Sequence, residues 1–187
     1  MRSMVSGILA AGLVWMFLSL LGAAAPADPP ARSTPAASGE TEDKEAQKAL
    51  EAKACGTAEV DFRTTTDKKQ HPTPEPPPGK AMVYVVRPTM MGHGIQTKLA
   101  VDGSWVGANR GKCYFFFPLD PGEHYLCSQA ENRSCLVISV EAGKTYYLQQ
   151  QIKMGFMKAR NKLVLLEDAA GKKALADCHL CISEIKK

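Results

Sequence analysis

Cys178-His179-Leu180-Cys181 carries the spacing of a redox dithiol, of half a zinc site, or of part of a haem-attachment motif. Each reading asks for more than two thiols. Covalent haem needs His directly after the second Cys, and Ile182 stands there. A thioredoxin-like pair opens a helix, whose N-terminus lowers the thiol pKa. Here the helix expected over Asp168 to Ala176 comes before the motif. Zinc needs one or two further ligands, and the chain holds only His71, His93, His124 and His179. His93 sits between two glycines and His124 opens a strand, so both read as turn or surface residues. The other cysteines are Cys55, Cys113, Cys127 and Cys135. In an oxidising compartment structural disulfides are the default for all six, and six cysteines allow fifteen complete pairings. Cys127 and Cys135 lie symmetrically about Glu131 in one expected hairpin. A bridge between them would stabilise by roughly 2–3 kcal/mol. A thiol-redox or metal-binding protein built on Cys178 and Cys181 is the rival to a purely structural role.

No other constellation points to catalysis. G-x-S-x-G, H-E-x-x-H, a P-loop and G-x-G-x-x-G are all missing. The expectation is a protein with no catalytic residues, no cofactor and no metal. Asn132-Arg133-Ser134 matches a glycosylation sequon. Trp105, Tyr114, Phe115, Phe116, Phe117, Tyr125, Tyr146 and Tyr147 can line a ligand-binding face. Alternation along a strand sends half of such residues away from any one core, and packing is the weightier reading. The net charge of +4 comes from scattered pairs such as Lys68-Lys69 and Lys172-Lys173. That is a solvated surface, not the basic tract of a nucleic-acid binder.

The first 27 residues read as a signal peptide: Arg2, an apolar run from Gly7 to Leu21, then Ala25 and Ala27 as an A-x-A site before Asp28. If uncleaved, the run is nearly long enough to hold the chain in a membrane. Cleavage removes Arg2 and leaves 22 basic and 19 acidic residues, a mature charge of +3. Export makes the compartment oxidising and places the protein in the periplasm or envelope.

Residues 28–54 read as a flexible tether followed by a marginal helix over Glu42 to Ala54, whose apolar stripe is thin. Residues 55–78 supply an edge strand (Ala58 to Thr66) and a connector with five prolines between Pro72 and Pro78, expected to be extended. Residues 79–187 form the main domain. Lys80 to Arg87 is apolar on both faces, which predicts a central strand covered twice. Leu99 to Gln149 then alternates short apolar runs with turns, a meander of antiparallel strands. Asp102-Gly103 fits a type I′ hairpin and Pro121-Gly122 a type II turn. Strands follow over Thr145 to Ile152 and Lys162 to Leu166, with Gly155 to Arg160 ambiguous. A short helix starts at Asp168 as N-cap, weakened at Gly171 by roughly 1 kcal/mol. Cys178 to Ile185 is a tail or last strand. The turns Pro78-Gly79-Lys80, Pro121-Gly122-Glu123 and Ala142-Gly143-Lys144 each launch a strand at irregular spacing, so they are recurrent turn chemistry and not a repeat array. The whole is all-β: an antiparallel sandwich or partly open barrel of seven to eight strands with a short helix at either end.

The segments PPGKAMVYVVRP, VDGSWVG, YFFFPLDPGEHYL and VEAGKTYYLQQ together resemble the bacterial domain-of-unknown-function 2846 family, over about Lys80 to Leu166, with a weaker likeness around Ala54-Cys55-Gly56. VDGSWVG and PGEHYL are also similar to PEGA-type surface modules. The resemblance implies a small exported or envelope-associated β-domain, and it implies no activity. Many members are lipoproteins, and this chain lacks the lipid-modified Cys. The resemblance also favours a Cys55–Cys127 bridge, stapling the N-terminal segment to the sandwich, over the Cys127–Cys135 hairpin bridge. The function expected is noncatalytic: a binding or structural component of the cell envelope, partnered by an envelope protein or surface ligand. An assembly or transport accessory that docks a partner on a sheet edge is a further alternative.

Overall fold

A computed structural model describes residues 39–56, 58–154 and 159–186. The expected signal peptide and most of the tether lie outside the described residues. The elements in chain order are α1 (Gly39–Ala54), β1 (Phe62–Asp67), β2 (Ala81–Arg87), β3 (Thr97–Val101), β4 (Ser104–Asn109), β5 (Cys113–Leu119), β6 (Gly122–Gln129), β7 (Arg133–Val140), β8 (Thr145–Met154), β9 (Ala159–Leu166), α2 (Asp168–Ala176) and β10 (His179–Ile185). They build a two-sheet sandwich, not closed into a barrel, from a six-stranded sheet ordered β1-β10-β5-β2-β8-β9 and a four-stranded sheet ordered β4-β3-β6-β7. The expected tail is thus the last strand, paired with the expected edge strand β1.

Every residue of β2 is buried, because both its faces are apolar and both are covered. Val83 and Val85 face the other sheet with Leu99, Phe115, Leu126 and Leu148. Met82, Tyr84 and Val86 face outward, into a second cluster with Tyr114, Tyr147 and Leu175 of α2. β2 pairs antiparallel with β5 but parallel with β8, and β5 pairs parallel with β10. The sandwich is therefore mixed at these two ladders and antiparallel at the others described.

The meander divides into hairpins and corners. Asp102-Gly103 makes the β3–β4 hairpin with both residues at positive φ, 50° and 79°, as a type I′ turn requires. β6 and β7 form the second hairpin. Pro121-Gly122 instead passes the chain from one sheet to the other, and so does Gly143. The corner at Gly143 meets the turn that opens β2: the Gly143 N–H donates to the Lys80 carbonyl, and the Met82 N–H to that of Lys144. Gly79 and Gly143 share nearly one backbone geometry, φ 75° and 76°. Two like turns thus launch two strands side by side, which sets them parallel. β4 runs from Ser104 to Asn109 against β3 through a register shift between Leu99 and Ala100.

One end of the interior is polar. Thr97 donates to Gln150, Gln150 to Ser128, and Ser128 to Asn161, at 2.8–3.0 Å, all buried. Each group has a partner there, so burial leaves little desolvation cost. Arg87 is fully buried nearby in sequence at the end of β2. Its guanidinium donates to the carbonyls of Ile95, Met91 and Gly92 and so shapes the loop after β2. Burial lowers its pKa to about 10, and it stays charged at neutral pH.

Each sheet also has an outer cover. Over the six-stranded sheet lie α2 and the proline connector. The Tyr84 and Tyr114 hydroxyls donate to the carbonyls of Pro74 and Pro72. Proline has no N–H but keeps its acceptor, so such a segment is held from below by donors. Asp168 is not the N-cap of α2: Glu167 occupies that position without a side-chain cap, and Asp168 pairs with Lys172 in the first turn. Gly171 has a packing reason, since a Cβ there would enter the Tyr147 ring. Over the four-stranded sheet lies the end of α1. Ala54 and Cys55 are buried with Ala100 and Cys127, and the Gly103 N–H donates to the Ala54 carbonyl. Gly56 follows at φ +66°, and a Cβ there would overlap the Gly103 carbonyl oxygen. Gly56→Ala is expected to destabilise by about 2–3 kcal/mol, read as a lower urea midpoint at unchanged slope.

Candidate functional site

The cysteines settle into two bridges and two free thiols. Cys55 bonds Cys127, and Cys113 bonds Cys181. The hairpin bridge between Cys127 and Cys135 is not formed, although the two are directly opposed in register, because Cys127 is taken by Cys55. Cys178 and Cys181 do not face each other. Three residues apart on extended backbone, they point to opposite faces. Cys178 joins the outer cluster of Tyr84 and Tyr114, and Cys181 meets Cys113. Thr66 reaches the Cys113 sulfur at 3.3 Å. Burial raises the Cys178 thiol to about 11 against smaller opposing effects of the Arg87 backbone and Lys112. It is a poor nucleophile at neutral pH.

Cys135 is half-buried, and its Sγ lies 3.7 Å from Cys55 Sγ. The sulfurs of Cys55, Cys127 and Cys135 all lie within 4.8 Å of one another. Around them stand Trp105 and Tyr125, with Lys53 5.2 Å above the Tyr125 ring and Lys98 5.0 Å above Trp105.

A second locus is a cleft of about 500 Å³ between the proline connector, α2 and the outer face of the six-stranded sheet. Its floor is Tyr84 and Tyr147, stacked at 5.6 Å. Its rim carries His71, Glu75, Asp168 and Lys172. β2 and β8 position the tyrosines as neighbours because Tyr84 and Tyr147 are register partners of the parallel ladder. His71 is fixed by a 3.2 Å hydrogen bond to the Leu175 carbonyl and by the Tyr114 ring at 4.8 Å. Burial, reinforced by neighbouring phenols, raises Tyr84 to about 12. Burial does the same for Tyr114, with Cys178 adding to it, so both remain neutral donors. The aromatic strand had pointed to a ligand face without saying which ring faces where. Phe115 and Phe117 pack inward, and Tyr114 and Phe116 belong to the outer side.

His124 is not an isolated turn residue. Its Nδ1 lies 2.6 Å from Asp102 Oδ2 and its Nε2 2.8 Å from the Asp120 carbonyl. Asp102 also accepts the Tyr125 N–H. Two acceptors, one at each ring nitrogen, call for the imidazolium. Burial opposes that charge, but the Asp102 and Asp120 hydrogen bonds outweigh it and the pKa is raised. The stability this gives is complete below the unfolded value near 6.5 and is lost as pH rises through the folded value. An NMR titration is expected to place His124 above 6.5, and Asp102→Asn to lower its midpoint. The partners lie 22 residues apart in sequence and meet because β3 pairs with β6, which sets the β3–β4 turn beside the start of β6.

The fold and its sites define a disulfide-stapled β-sandwich domain. Residues 77–162 match the family of proteins of unknown function DUF2846. The match covers β2 to the first part of β9 and leaves out α1, β1, α2 and β10. No curated protein and no solved structure matches the chain.

Proposed function

We propose that the protein is a noncatalytic, exported module of the bacterial cell envelope that binds its ligand or partner in the tyrosine-floored cleft. The carrying observation is the cleft itself: a stacked Tyr84–Tyr147 pair under a charged rim, with its walls pinned by tyrosine and histidine hydrogen bonds. A pocket with an apolar floor and a few placed polar groups suits a binding role. The two disulfides favour an oxidising compartment. Among the described residues no helix is long and apolar enough to cross a membrane.

The experiment is photocrosslinking in cells from a benzophenone residue at Thr145 in the cleft, followed by fractionation. The expected result is a discrete crosslink to an envelope component, from a chain shortened at its N-terminus and recovered in the periplasmic or envelope fraction. A full-length chain in the cytosol with six free thiols would overturn export. Docking on a sheet edge has its own support. Val106 and Val137 are exposed on β4 and β7, the two edges of the four-stranded sheet. Crosslinks from Val137 and none from Thr145 would favour that mode.

A further inference from the structure

The cluster on the outer face of the four-stranded sheet contains one disulfide and one extra thiol. Only two of its three sulfurs can be bonded at once. Of the three possible pairings Cys127 takes part in two: it bonds Cys55 from the end of α1, and it faces Cys135 across β6 and β7. Directly opposed residues of an antiparallel pair stand roughly 4.5–5.5 Å apart at Cα, inside the roughly 4.4–6.8 Å that a disulfide spans. The register thus places Cys127 and Cys135 at disulfide spacing. Cys135 already touches the existing bridge, 3.7 Å from Cys55 Sγ.

We propose that Cys55, Cys127 and Cys135 form a thiol–disulfide exchange site in which Cys135 displaces Cys55 from Cys127. The Cys135 thiol gives its proton to solvent, and its thiolate attacks Cys127 Sγ. The Cys127–Cys135 bond forms as the Cys55–Cys127 bond breaks. Cys55 leaves as a thiolate and takes up a proton. No electrons enter or leave, so no external oxidant or reductant is needed. In the product the sheet carries its own hairpin bridge, and the end of α1 keeps only noncovalent contacts: buried Ala54, its hydrogen bond to Gly103, and Lys53 over Tyr125. The exchange delivers a free Cys55 thiol at the end of α1.

The site is slow at neutral pH. Burial, with Glu51 of α1 adding and Arg133 of β7 opposing, holds the Cys135 thiol at about 11. Lys53 of α1 is turned to the Tyr125 ring, and Tyr125 of β6 bonds Glu123. Since the thiolate is the attacking species, the exchange rate should rise about tenfold per pH unit between pH 7 and 10.

The test is disulfide mapping of the full chain after incubation from pH 7 to pH 10, with acid quenching and alkylation in denaturant. Trypsin cuts at Arg133, between Cys127 and Cys135, and a glutamate-specific protease cuts at Glu123, between Cys113 and Cys127. The bridged peptides therefore separate by mass. The expected result is growth of a link between the Cys127 and Cys135 peptides, with Cys55 alkylated in step, at the stated pH dependence. Cys55→Ser should show the same link without incubation, and Cys135→Ser should keep only Cys55–Cys127. Retention of Cys55–Cys127 with Cys135 alkylated at every pH would overturn the proposal. So would accumulation of a Cys55–Cys135 link, which makes the wrong sulfur the target.

Discussion

Replacing Cys113 and Cys181 together by serine is expected to lower the unfolding free energy by about 4 kcal/mol, the chain-entropy value for a loop of this size. The bridge spans 68 residues. Its local importance exceeds that figure. β1 and β10 pair with each other over six positions, Phe62 to Asp67 against Leu180 to Ile185. This ribbon meets the rest of its sheet through only two register pairs, His179 with Cys113 and Leu180 with Tyr114. Side-chain ties such as Gln96 to the Phe62 carbonyl and Ser183 to the Ala108 N–H add modestly. Without the bridge, amide exchange should accelerate in β1 and β10 well before β2. Urea denaturation measures the global loss. A change under 1 kcal/mol, with β1 and β10 still protected, would show that the two-pair ladder suffices.

Arg87→Met should cost about 4 kcal/mol. The substitution keeps much of the apolar volume but removes the guanidinium donor from the carbonyls of Ile95, Met91 and Gly92, of which Gly92 keeps the Ile95 N–H. Each such loss carries a desolvation penalty of about 1–3 kcal/mol, and relaxation of the loop recovers part of it. Arg87→Lys should cost about half as much, because one ammonium cannot reproduce the fork that meets three carbonyls. Thermal unfolding of the two variants beside the parent gives the ranking. A Lys variant as unstable as the Met variant would show that the shape of the guanidinium, and not its charge, holds the loop.

Much of the scaffold was legible because it is written locally. Lys80 to Arg87 reads as a strand covered twice, and its two faces do bury against two different clusters. Asp102-Gly103 specifies its turn through the φ values it permits. Parallel pairing leaves no such mark. Nothing adjacent to β2 announces β8 as its neighbour, though the matched Gly79 and Gly143 turns were visible as a recurrence. Their meaning emerged only when each was found hydrogen-bonded to the other. Pro121-Gly122 shows the same limit: its turn chemistry was apparent, but whether it reverses the chain within one sheet or carries it to the other depends on partners elsewhere. The site was less legible still. The Cys178-x-x-Cys181 spacing drew attention to two residues that strand alternation separates, while the sulfur cluster draws on α1, β6 and β7. Cys55–Cys127 followed from family likeness, and no spacing rule reveals Cys135 beside it. Arg87 gave no signal, because its carbonyl partners lie in a loop with no acidic residue to advertise a buried cation.

The pairing of β1 with β10 has a consequence for biosynthesis. The strand made first in the sandwich finds its partner in the strand made last, and β2 waits for β8 before its second ladder can close. Contacts of such long sequence separation are slow to form, since loop closure precedes any reward. A ribosome-bound chain that has reached β7 holds only the β3–β4–β6–β7 sheet complete. The six-stranded sheet cannot be completed until Ile185 has left the ribosome, so during vectorial synthesis β2 has only its β5 ladder until β8 emerges.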